Sequence, residues 1–353
     1  MAALTDLAGL FPDEICAATG LSPAFRGKQV FQWIGRGAAS FDEMTNLDKA
    51  SRAALAAQAR IYSSAVTQTL KDPDGTVKLQ LTLDDGCAVE TVLLCDREGR
   101  KTACVSCQAG CAMRCAFCQT GQLGLQRNLS AGEIIEEFLH LEGAAGTLDN
   151  IVFMGMGEPL QNIAAIRKAV AILTDKAGRA LSSRRITLST CGLIEGIYAL
   201  AEQGPLLRLA VSLTTASQEL REKLMPIAKA NPLPELKKAI TYYSEKSGKR
   251  VTLEAALLAG QNTDRESAMQ LISFARGLNV HLNLIPWNPV PGLPFETPSA
   301  AECRNFVSLL EQAGLKVTLR MRRGVTIGGA CGQLGRTAQN LLSFVSDFVK
   351  LST

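Results

Sequence analysis

The amino-acid sequence predicts an α/β fold in which a partial (β/α) TIM-like barrel follows a small helical domain and a β-hairpin. Strand-like and helical stretches alternate from about residue 104 onward, and repeated βα units of this length indicate a parallel sheet. Six such strands favour a complete or partial barrel over a short doubly wound sheet. The predicted strands cover residues 150–154, 185–189, 208–213, 251–256, 280–285 and 316–320.

The N-terminal part, residues 1–75, is predicted to form the small helical domain. Apolar residues recur at helical spacing within residues 23–35, and Asn46 is expected to cap a second helix that ends at Arg60. The helical pattern continues to about residue 70. Two short helices with basic faces are typical of a small nucleic-acid-binding module, and a plain helical cap on the next domain is an equally good alternative.

Residues 76–98 change to the alternating pattern of a β-hairpin. The run VKLQLTL alternates, Asp85 and Gly86 supply the turn, and VETVLL follows. Glu90 lies in the second arm, where the pattern alone favours a solvated strand residue. The hairpin is therefore predicted to link the helical domain to a barrel of residues 99–353, which ends in a cysteine-containing loop and a helix.

The composition disfavours several classes of protein. No apolar run approaches the roughly 20 residues that span a bilayer, and the first residues lack the basic segment of a signal peptide. We therefore expect a cytoplasmic protein without a membrane partner. His140 and His281 are the only histidines, which disfavours zinc–histidine and histidine-base mechanisms, and both are expected to be partly buried structural residues. A net charge of +4 is compatible with a polyanionic partner.

Eleven cysteines in a reducing compartment leave thiols free for metal binding or catalysis. Cys111, Cys115 and Cys118 form a CxxxCxxC pattern with the aromatic Phe117 before the last cysteine. Three thiolates on a four-iron cluster leave one iron open, which can bind the amino and carboxylate groups of S-adenosylmethionine (SAM). We therefore expect a [4Fe-4S] cluster and radical-SAM chemistry. A structural zinc site with four thiolates from the run that begins at Cys104 is the main alternative.

Other candidate site residues follow the predicted strands or lie near the C-terminus. Gly157 lets the backbone approach a ligand closely, and the Glu158 carboxylate could accept hydrogen bonds from an ammonium group. A tight strand-to-helix turn is equally consistent with this segment alone. Cys331 lies in the glycine-rich run 328–332, which leaves room for a bulky group beside the sulfur, and a small buried cysteine is the alternative there.

Several motifs in the same order resemble the RlmN/Cfr family of radical-SAM RNA methyltransferases over nearly the whole chain. The matching segments are residues 28–34 (KQVFQWI), 41–47 (FDEMTNL), Cys104 with the cysteine triplet, 154–160 (MGMGEPL), 283–289 (NLIPWNP) and 330–334 (ACGQL). Three positions depart from the family pattern. The family usually has His where this chain has Thr214, Asp where it has Thr326, and Ser where it has Cys191.

The resemblance implies a role for each matched position. The cluster ligands would be Cys111, Cys115 and Cys118, and the SAM contacts would be Gly157, Glu158, Ser189, Ser212, Leu213, Thr214 and Asn288. Cys331 would accept a methyl group from one SAM and a second SAM would yield the radical, so that each turnover uses two. Glu90 would accept a proton from the adenine. Cys104 would form a transient disulfide with Cys331 and so release the methylated RNA.

The resemblance also implies a substrate and partners. The predicted reaction methylates carbon 2 of adenosine 2503 in 23S rRNA, with adenosine 37 of tRNA as a second target. The enzymatic alternatives are methylation of carbon 8 and action on another RNA, and the non-enzymatic alternative is an iron–sulfur RNA-binding protein. We expect an electron donor such as flavodoxin and a monomeric state. The helical domain and the basic run 320–323 are candidates for contact with phosphate groups.

Overall fold

The computed structural model describes residues 4–96 and 98–335. The helix that the sequence predicts after the Cys331 loop lies outside these residues. The elements run in the order β1 (Thr5–Asp6), α1 (Pro12–Thr19), α2 (Phe25–Gly35), α3 (Lys49–Gln58), β2 (Ala59–Arg60), β3 (Ala65–Lys71), β4 (Val77–Thr82), β5 (Ala88–Cys95), β6 (Lys101–Cys104), β7 (Gln108–Gly110), α4 (Gln119–Leu123), β8 (Leu125–Asn128), α5 (Ala131–Ala145), β9 (Asn150–Phe153), α6 (Ile163–Thr174), β10 (Ile186–Thr190), α7 (Ile194–Gln203), β11 (Arg208–Ser212), α8 (Gln218–Leu224), α9 (Leu233–Ser247), β12 (Val251–Leu257), α10 (Arg265–Ala275), β13 (Val280–Pro286), α11 (Ala300–Gln312) and β14 (Val317–Leu319). Within the described ranges, no helix has the length and apolar character needed to cross a membrane.

Three helices form at the N-terminus, and β1 pairs in parallel with β2 beside them. Both predicted helices are present, as α2 and α3. The prediction that Asn46 caps the second of them is wrong, because its side chain accepts a hydrogen bond from Trp33 Nε1 instead (2.7 Å). The cap of α3 is Asp48, whose carboxylate accepts a hydrogen bond from the N–H of Ser51 (2.8 Å).

The predicted hairpin is confirmed, and its strands belong to a larger sheet. β4 and β5 are antiparallel, and Gly86 adopts a φ of +80° in the turn between them. The prediction of helical structure up to residue 70 is wrong, because β3 forms there and pairs with β4. The β-branched residues of this segment favour a strand once a partner is present. β5 also pairs with β6, which joins the hairpin to the barrel, and the domain boundaries after residues 75 and 98 stay predictions.

Seven parallel strands form the partial barrel. The ten-stranded sheet has the order β14-β13-β12-β11-β10-β9-β6-β5-β4-β3, and the strands from β14 to β6 are parallel. Because β14 is an edge of this sheet and does not pair with β6, the barrel is open. The predicted α/β fold is therefore confirmed. All six predicted strands are present with their ends within one residue of the prediction, whereas the short strands β6, β7 and β8 are unpredicted.

Capped helices follow the barrel strands. α5 begins with a capping box, in which the Ser130 Oγ accepts from the N–H of Glu133 (3.1 Å) and the Glu133 carboxylate accepts from the N–H of Ser130 (2.7 Å). The cap of α10 is Asp264, whose carboxylate accepts from the N–H of Ser267 (2.7 Å). Because the barrel strands are parallel, the loops at their carboxyl ends lie on one side of the sheet.

A buried carboxylate joins the segment before β3 to the barrel. Glu136 of α5 is fully buried, and its Oε1 accepts hydrogen bonds from the N–H and the Oγ of Ser63 (both 2.9 Å). Its Oε2 accepts from the N–H (2.8 Å) and the Oγ (2.5 Å) of Ser64. Burial raises the pKa of Glu136, and these four hydrogen bonds oppose the rise. Half-buried His140 contacts the Ser64 Oγ (3.1 Å) and stacks on Tyr62, which is the structural role that we expect for this histidine.

We predict that Glu136→Ala lowers the free energy of unfolding by about 3 kcal/mol, because the hydroxyls and amide groups of both serines lose a charged acceptor in a buried place. Urea unfolding followed by circular dichroism measures the change. Glu219→Ala is the control, since the Glu219 side chain is 82% exposed and its surface ion pair with Lys223 contributes little. A decrease for Glu136→Ala no larger than that of the control would contradict the prediction.

Candidate active site

The three cysteines of the CxxxCxxC pattern line one cavity at the carboxyl ends of the barrel strands. This first cavity has a volume of about 180 Å³. The predicted site residues that line it are Cys111, Cys115, Cys118, Gly157, Glu158, Ser189, Ser212, Thr214, Asn288 and Cys331. The fold therefore brings together residues from six separate segments of the chain. Leu213 does not line the cavity, because its side chain is fully buried in the hydrophobic core.

Main-chain hydrogen bonds hold the cysteine loop against two distant segments. The N–H of Ala116 donates to the carbonyl of Leu224 at the end of α8 (2.8 Å). The N–H of Gln119 donates to the carbonyl of Gly332, the residue after Cys331 (2.7 Å). The loop that carries the cysteine triplet is therefore in direct contact with the loop that carries Cys331.

The donor set of the first cavity fits an iron–sulfur cluster. Burial raises the pKa of the Cys111 thiol to about 12 and also raises the pKa values of Cys115 and Cys118, and iron would replace these protons. In residues 4–96 and 98–335, no three Cys, His, Asp or Glu side chains surround one point as the ligands of a single ion would. A four-iron cluster does not require such convergence, because each thiolate binds a different iron.

Glu158 has both carboxylate oxygens fixed by the main chain. It is 3% exposed; Oε2 accepts from the N–H of Cys191 (2.7 Å) and Oε1 from the N–H of Leu160 (3.0 Å). Burial raises its pKa, and these hydrogen bonds oppose the rise. The preceding Gly157 has a φ of +103°, and a Cβ atom there would lie 2.6 Å from the Cβ of Gln108. Only glycine fits at this position, and it brings the carboxylate to the cavity wall.

A second buried carboxylate, which sequence reasoning missed, lies in the same wall. Glu254 of β12 is 6% exposed, and its oxygens accept hydrogen bonds from Ser189 Oγ (3.1 Å) and Asn283 Nδ2 (2.9 Å). An acidic residue inside the apolar run VTLEAAL was the signal that could have revealed it. Thr214 lines the cavity with a φ of +63°, which is uncommon for a residue other than glycine, and Asn262 Nδ2 donates to its carbonyl (2.9 Å).

Asn288 presents an unused acceptor to the first cavity. Its Nδ2 donates to the carbonyl of Cys331 (3.0 Å), whereas its buried Oδ1 has no hydrogen-bond partner among the described residues. A buried amide oxygen without a donor is unfavourable, so a ligand with N–H or O–H groups would complete it. SAM carries such groups, and the cavity therefore suits SAM as well as the cluster.

Cys331 lies where the first cavity meets a second, larger one. The second cavity has a volume of about 920 Å³ and shares Met154, Ile285, Asn288 and Cys331 with the first. Cys104 lines only the second cavity. Burial raises the pKa of the Cys104 thiol, and the nearby Cys331 thiol adds to the rise. The Cys331 side chain is exposed, yet the surrounding protein raises the pKa of its thiol too, and the Arg320 guanidinium opposes that rise.

Arginine side chains line the second cavity. They are Arg100, Arg184, Arg185, Arg208, Arg320, Arg322 and Arg323, and the last three include most of the predicted basic run. In the described part of the chain, Arg184, Arg208, Arg322 and Arg323 form no ion pair. Arginines without carboxylate partners around a large opening form an anion-binding surface.

The turn between β3 and β4 holds the loop that carries Cys331. In this turn, the Asp74 carboxylate accepts a hydrogen bond from the N–H of Gly324 (2.9 Å). Asp72 Oδ2 accepts from the N–H (3.3 Å) and the Oγ1 (2.5 Å) of Thr326. This contact explains why threonine suits a position where the family usually has aspartate, because a second carboxylate would face Asp72. The threonine hydroxyl donates where a carboxylate would repel.

Glu90 is fully buried, so the expectation from pattern alone of a solvated residue is wrong. Its Oε1 pairs with Nζ of Lys78 (3.0 Å), which is 4% exposed, and its Oε2 accepts from the N–H of Gly335 (2.6 Å). Lys78 Nζ also donates to the carbonyl of Gly328 (3.3 Å). Glu90 lines neither cavity in the described conformation. It contacts the Cys331 loop at Gly335 instead, and its partner Lys78 contacts the loop at Gly328.

Family models match two parts of the chain. The model described as Radical SAM superfamily matches residues 105–272, which include the cysteine triplet and most of the barrel. The model described as Ribosomal RNA large subunit methyltransferase N-terminal domain matches residues 16–61, which hold the N-terminal helices.

Curated relatives match almost the whole chain. It is 56% identical over 332 residues to the Probable dual-specificity RNA methyltransferase RlmN of Treponema pallidum, covering 94% of this chain and 98% of that one. It is 42% identical over 346 residues to the Dual-specificity RNA methyltransferase RlmN of Nitratidesulfovibrio vulgaris, covering 94% of each chain. The crystal structure of a radical SAM methyltransferase from Sphaerobacter thermophilus has 40% sequence identity and a TM-score of 0.90, and the match covers 94% of this chain and 99% of that one.

We predict that Thr326→Asp loosens the Cys331 loop, because it places two carboxylates where a hydroxyl now donates to Asp72. Hydrogen–deuterium exchange within residues 324–332 should become about tenfold faster, the effect of losing roughly 1–2 kcal/mol of hydrogen bonding. Adding Asp72→Asn to this variant should restore slow exchange, since an amide can donate to the new carboxylate. Asp96→Asn, in a different turn, should leave the loop unchanged. Native exchange rates in Thr326→Asp would refute this account of the loop.

Proposed function

The chain belongs to the RlmN family of radical-SAM methyltransferases, and from this premise we propose that it methylates carbon 2 of an adenine in 23S rRNA and in tRNA. The proposed adenines are adenosine 2503 of the rRNA and adenosine 37 of the tRNA. The observation that supports this best is the position of Cys331, between the cavity of the cysteine triplet and the arginine-lined cavity that contains Cys104. A methyl-carrying residue needs access to both a donor and an acceptor of the methyl group.

The first cavity would hold the cofactors. Cys111, Cys115 and Cys118 would bind the [4Fe-4S] cluster, and Glu158 and Asn288 would hold SAM by its polar groups. When bound there, the cluster and SAM would supply a methyl group and a hydrogen-abstracting radical. The protein fixes its own part of this site in advance, because the main chain already orients the Glu158 carboxylate and Asn288 presents an unused acceptor.

Cys331 would carry the methyl carbon to the adenine as a thioether. A ring carbon of adenine is a poor nucleophile, so direct displacement on SAM is unfavourable, and a carbon attached to sulfur can instead be added to the ring as a radical. The ring would then lose one electron, for which the cluster would be the acceptor, and the proton on the ring carbon. The Cys104 thiolate would then attack the Cys331 sulfur. The S–S bond forms as the bond between sulfur and the transferred carbon breaks, and that carbon keeps the electron pair and takes a proton to become methyl.

Glu90 would accept the proton that the adenine ring carbon loses. Its carboxylate lies behind the Cys331 loop and is bound to Gly335, so this role requires the loop to move when RNA binds. Such motion is compatible with a loop whose contacts to the hairpin are a few hydrogen bonds. The same contacts support a second role for Glu90, in which it holds the loop until the substrate arrives.

The second cavity would receive the RNA. The adenine would leave its stack to reach the Cys331 sulfur, which requires an opening wider than one base. The unpaired arginines around this opening would bind phosphate groups of the unstacked segment. An iron–sulfur RNA-binding protein without turnover has no use for two thiols that line one cavity, and the pair Cys104 and Cys331 therefore favours an enzyme. The monomeric state and the flavodoxin-like electron donor stay predictions.

We predict that the anaerobically reconstituted protein, supplied with SAM and a reductant, produces 2-methyladenosine in unmodified 23S rRNA and tRNA. Mass spectrometry of the digested nucleosides identifies the product. A Cys115→Ala protein, which lacks a cluster ligand, is the negative control. Detection of 8-methyladenosine instead would replace the proposed ring carbon, and absence of any methylated adenosine in both RNAs would refute the proposed activity.

We predict different outcomes for substitutions of Cys331 and Cys104, the two proposed catalytic cysteines outside the cluster triplet. Cys331→Ala should neither methylate RNA nor bind it covalently, because the methyl carrier is missing. Cys104→Ala should accumulate a stoichiometric covalent RNA–protein adduct, because the bridge to Cys331 forms and is not resolved. Denaturing gel electrophoresis with labelled RNA detects the adduct, and Cys303→Ala, a buried cysteine outside both cavities, serves as the control. Normal turnover by Cys104→Ala would exclude this role.

A further inference from the structure

Arg221 of α8 is a buried cation that has no anionic partner among the described residues. It is fully buried, and its guanidinium donates three hydrogen bonds, all to main-chain carbonyls. Nε donates to Leu213 (3.2 Å), Nη1 to Asn231 (3.4 Å) and Nη2 to Cys191 (2.7 Å). Across the residues that the structure describes, no carboxylate forms an ion pair with it.

This arrangement is energetically incomplete. An arginine cannot escape the cost of burial by losing its proton, and a buried charge that is satisfied only by neutral carbonyls keeps an uncompensated desolvation penalty. Buried charges in proteins are normally paired or face a metal centre. The position of Arg221 therefore points to an anion that none of the described residues supplies.

The first cavity is where that anion would lie. Cys191 lines this cavity, and its main-chain carbonyl accepts the shortest of the three hydrogen bonds. The end of α8 is also bound to the cysteine loop, since the carbonyl of Leu224 accepts from the N–H of Ala116, the residue after Cys115. Burial lowers the pKa of Arg221, and the groups that oppose this fall are the thiols of Cys191 and Cys115.

Arg221 does not itself line the first cavity, and a glycine lets its guanidinium pack closely behind Cys191, which does. Gly192, next to Cys191, has a φ of +96°, and a Cβ atom there would lie 3.0 Å from Nη2 of Arg221 and 3.1 Å from Leu236. A side chain at this position would press on the guanidinium and on the helix behind it. The glycine thus permits a close approach of the cation to the segment that carries Cys191.

We propose that Arg221 is the buried counter-charge of the iron–sulfur cluster and makes the cluster easier to reduce. This inference rests on the proposed function, because it requires a cluster on Cys111, Cys115 and Cys118. A [4Fe-4S] cluster with three thiolates carries one net negative charge when oxidised and gains a second when it accepts an electron from a low-potential donor. A fixed buried cation stabilises the second charge more than the first, so it raises the reduction potential. Arg221 is in this sense a positioning residue, which acts through charge without contact with the substrate.

Two substitutions separate charge from hydrogen bonding. Arg221→Lys keeps the positive charge with fewer donors, and Arg221→Gln keeps donors without the charge. After anaerobic reconstitution and measurement of iron and sulfide, each protein is titrated with a low-potential reductant and followed by electron paramagnetic resonance. At the potential where half of the native cluster is reduced, Arg221→Gln should show a ratio of reduced to oxidised cluster about tenfold lower. Arg221→Lys should stay near the native ratio.

A third variant tests the proposal if Arg221→Gln fails to fold or to take up iron. Asn231→Asp leaves Arg221 in place and introduces a carboxylate into a residue whose carbonyl already contacts the guanidinium. It should lower the ratio of reduced to oxidised cluster in the same direction. Lys223→Met, an exposed cation on the same helix, is the matched control and should leave the ratio unchanged.

The outcomes distinguish this inference from the proposed function. A native ratio in Arg221→Gln or in Asn231→Asp, at normal iron content, would overturn the counter-charge role. A ratio that falls equally in Arg221→Lys and Arg221→Gln would also overturn it, because hydrogen bonding rather than charge would then set the potential. If the native protein takes up a cluster but methylates no RNA, the proposed activity fails while the role of Arg221 is still measured directly.

Discussion

The position of Cys331 depends on hydrogen bonds from a hairpin that lies about 250 residues earlier in the chain. The loop around Cys331 is rich in glycine and has little apolar surface with which to fix itself. Asp72 and Asp74 in the turn before β4 accept its N–H groups, and the buried pair of Lys78 and Glu90 contacts its two ends. These contacts hold the loop from one side, and Gln119 and Asn288 of the barrel hold it from the other side by hydrogen bonds to the carbonyls of Gly332 and Cys331.

The barrel imposes a second constraint, because it must satisfy the buried charged side chains around the first cavity. Glu158 and Glu254 use main-chain and side-chain donors of neighbouring strands and loops, and Arg221 uses only carbonyls. Because these partners belong to different strands, the charges can be satisfied only when the sheet is complete. The same hydrogen bonds that make burial tolerable also fix the orientation of each charged group, so folding and preorganisation of the site are one process here.

Local signals in the sequence predicted much of the fold and of the first cavity. The barrel strands carry apolar runs of normal length, and the spacing of Cys111, Cys115 and Cys118 identifies one loop, so both follow from short windows. The burial of Glu90 does not, because a strand pattern cannot tell which face another loop will cover. β3 and the Asp72–Thr326 contact were missed for the same reason, since both exist only through distant partners. The sequence did not indicate that Arg221 is buried, because an arginine in an amphipathic helix is normally exposed to solvent.

The three departures from the family pattern affect the site unequally. Cys191 contributes its main-chain N–H to Glu158 and its carbonyl to Arg221, so these two contacts do not depend on whether the side chain is cysteine or serine. Thr326 is compensated locally, because its hydroxyl matches Asp72. Thr214 lines the first cavity, as Cys191 does, but differs in that its backbone adopts a positive φ. Variation at position 214 would therefore act on the shape of the cofactor cavity, whereas the other two departures leave the hydrogen bonds around it in place.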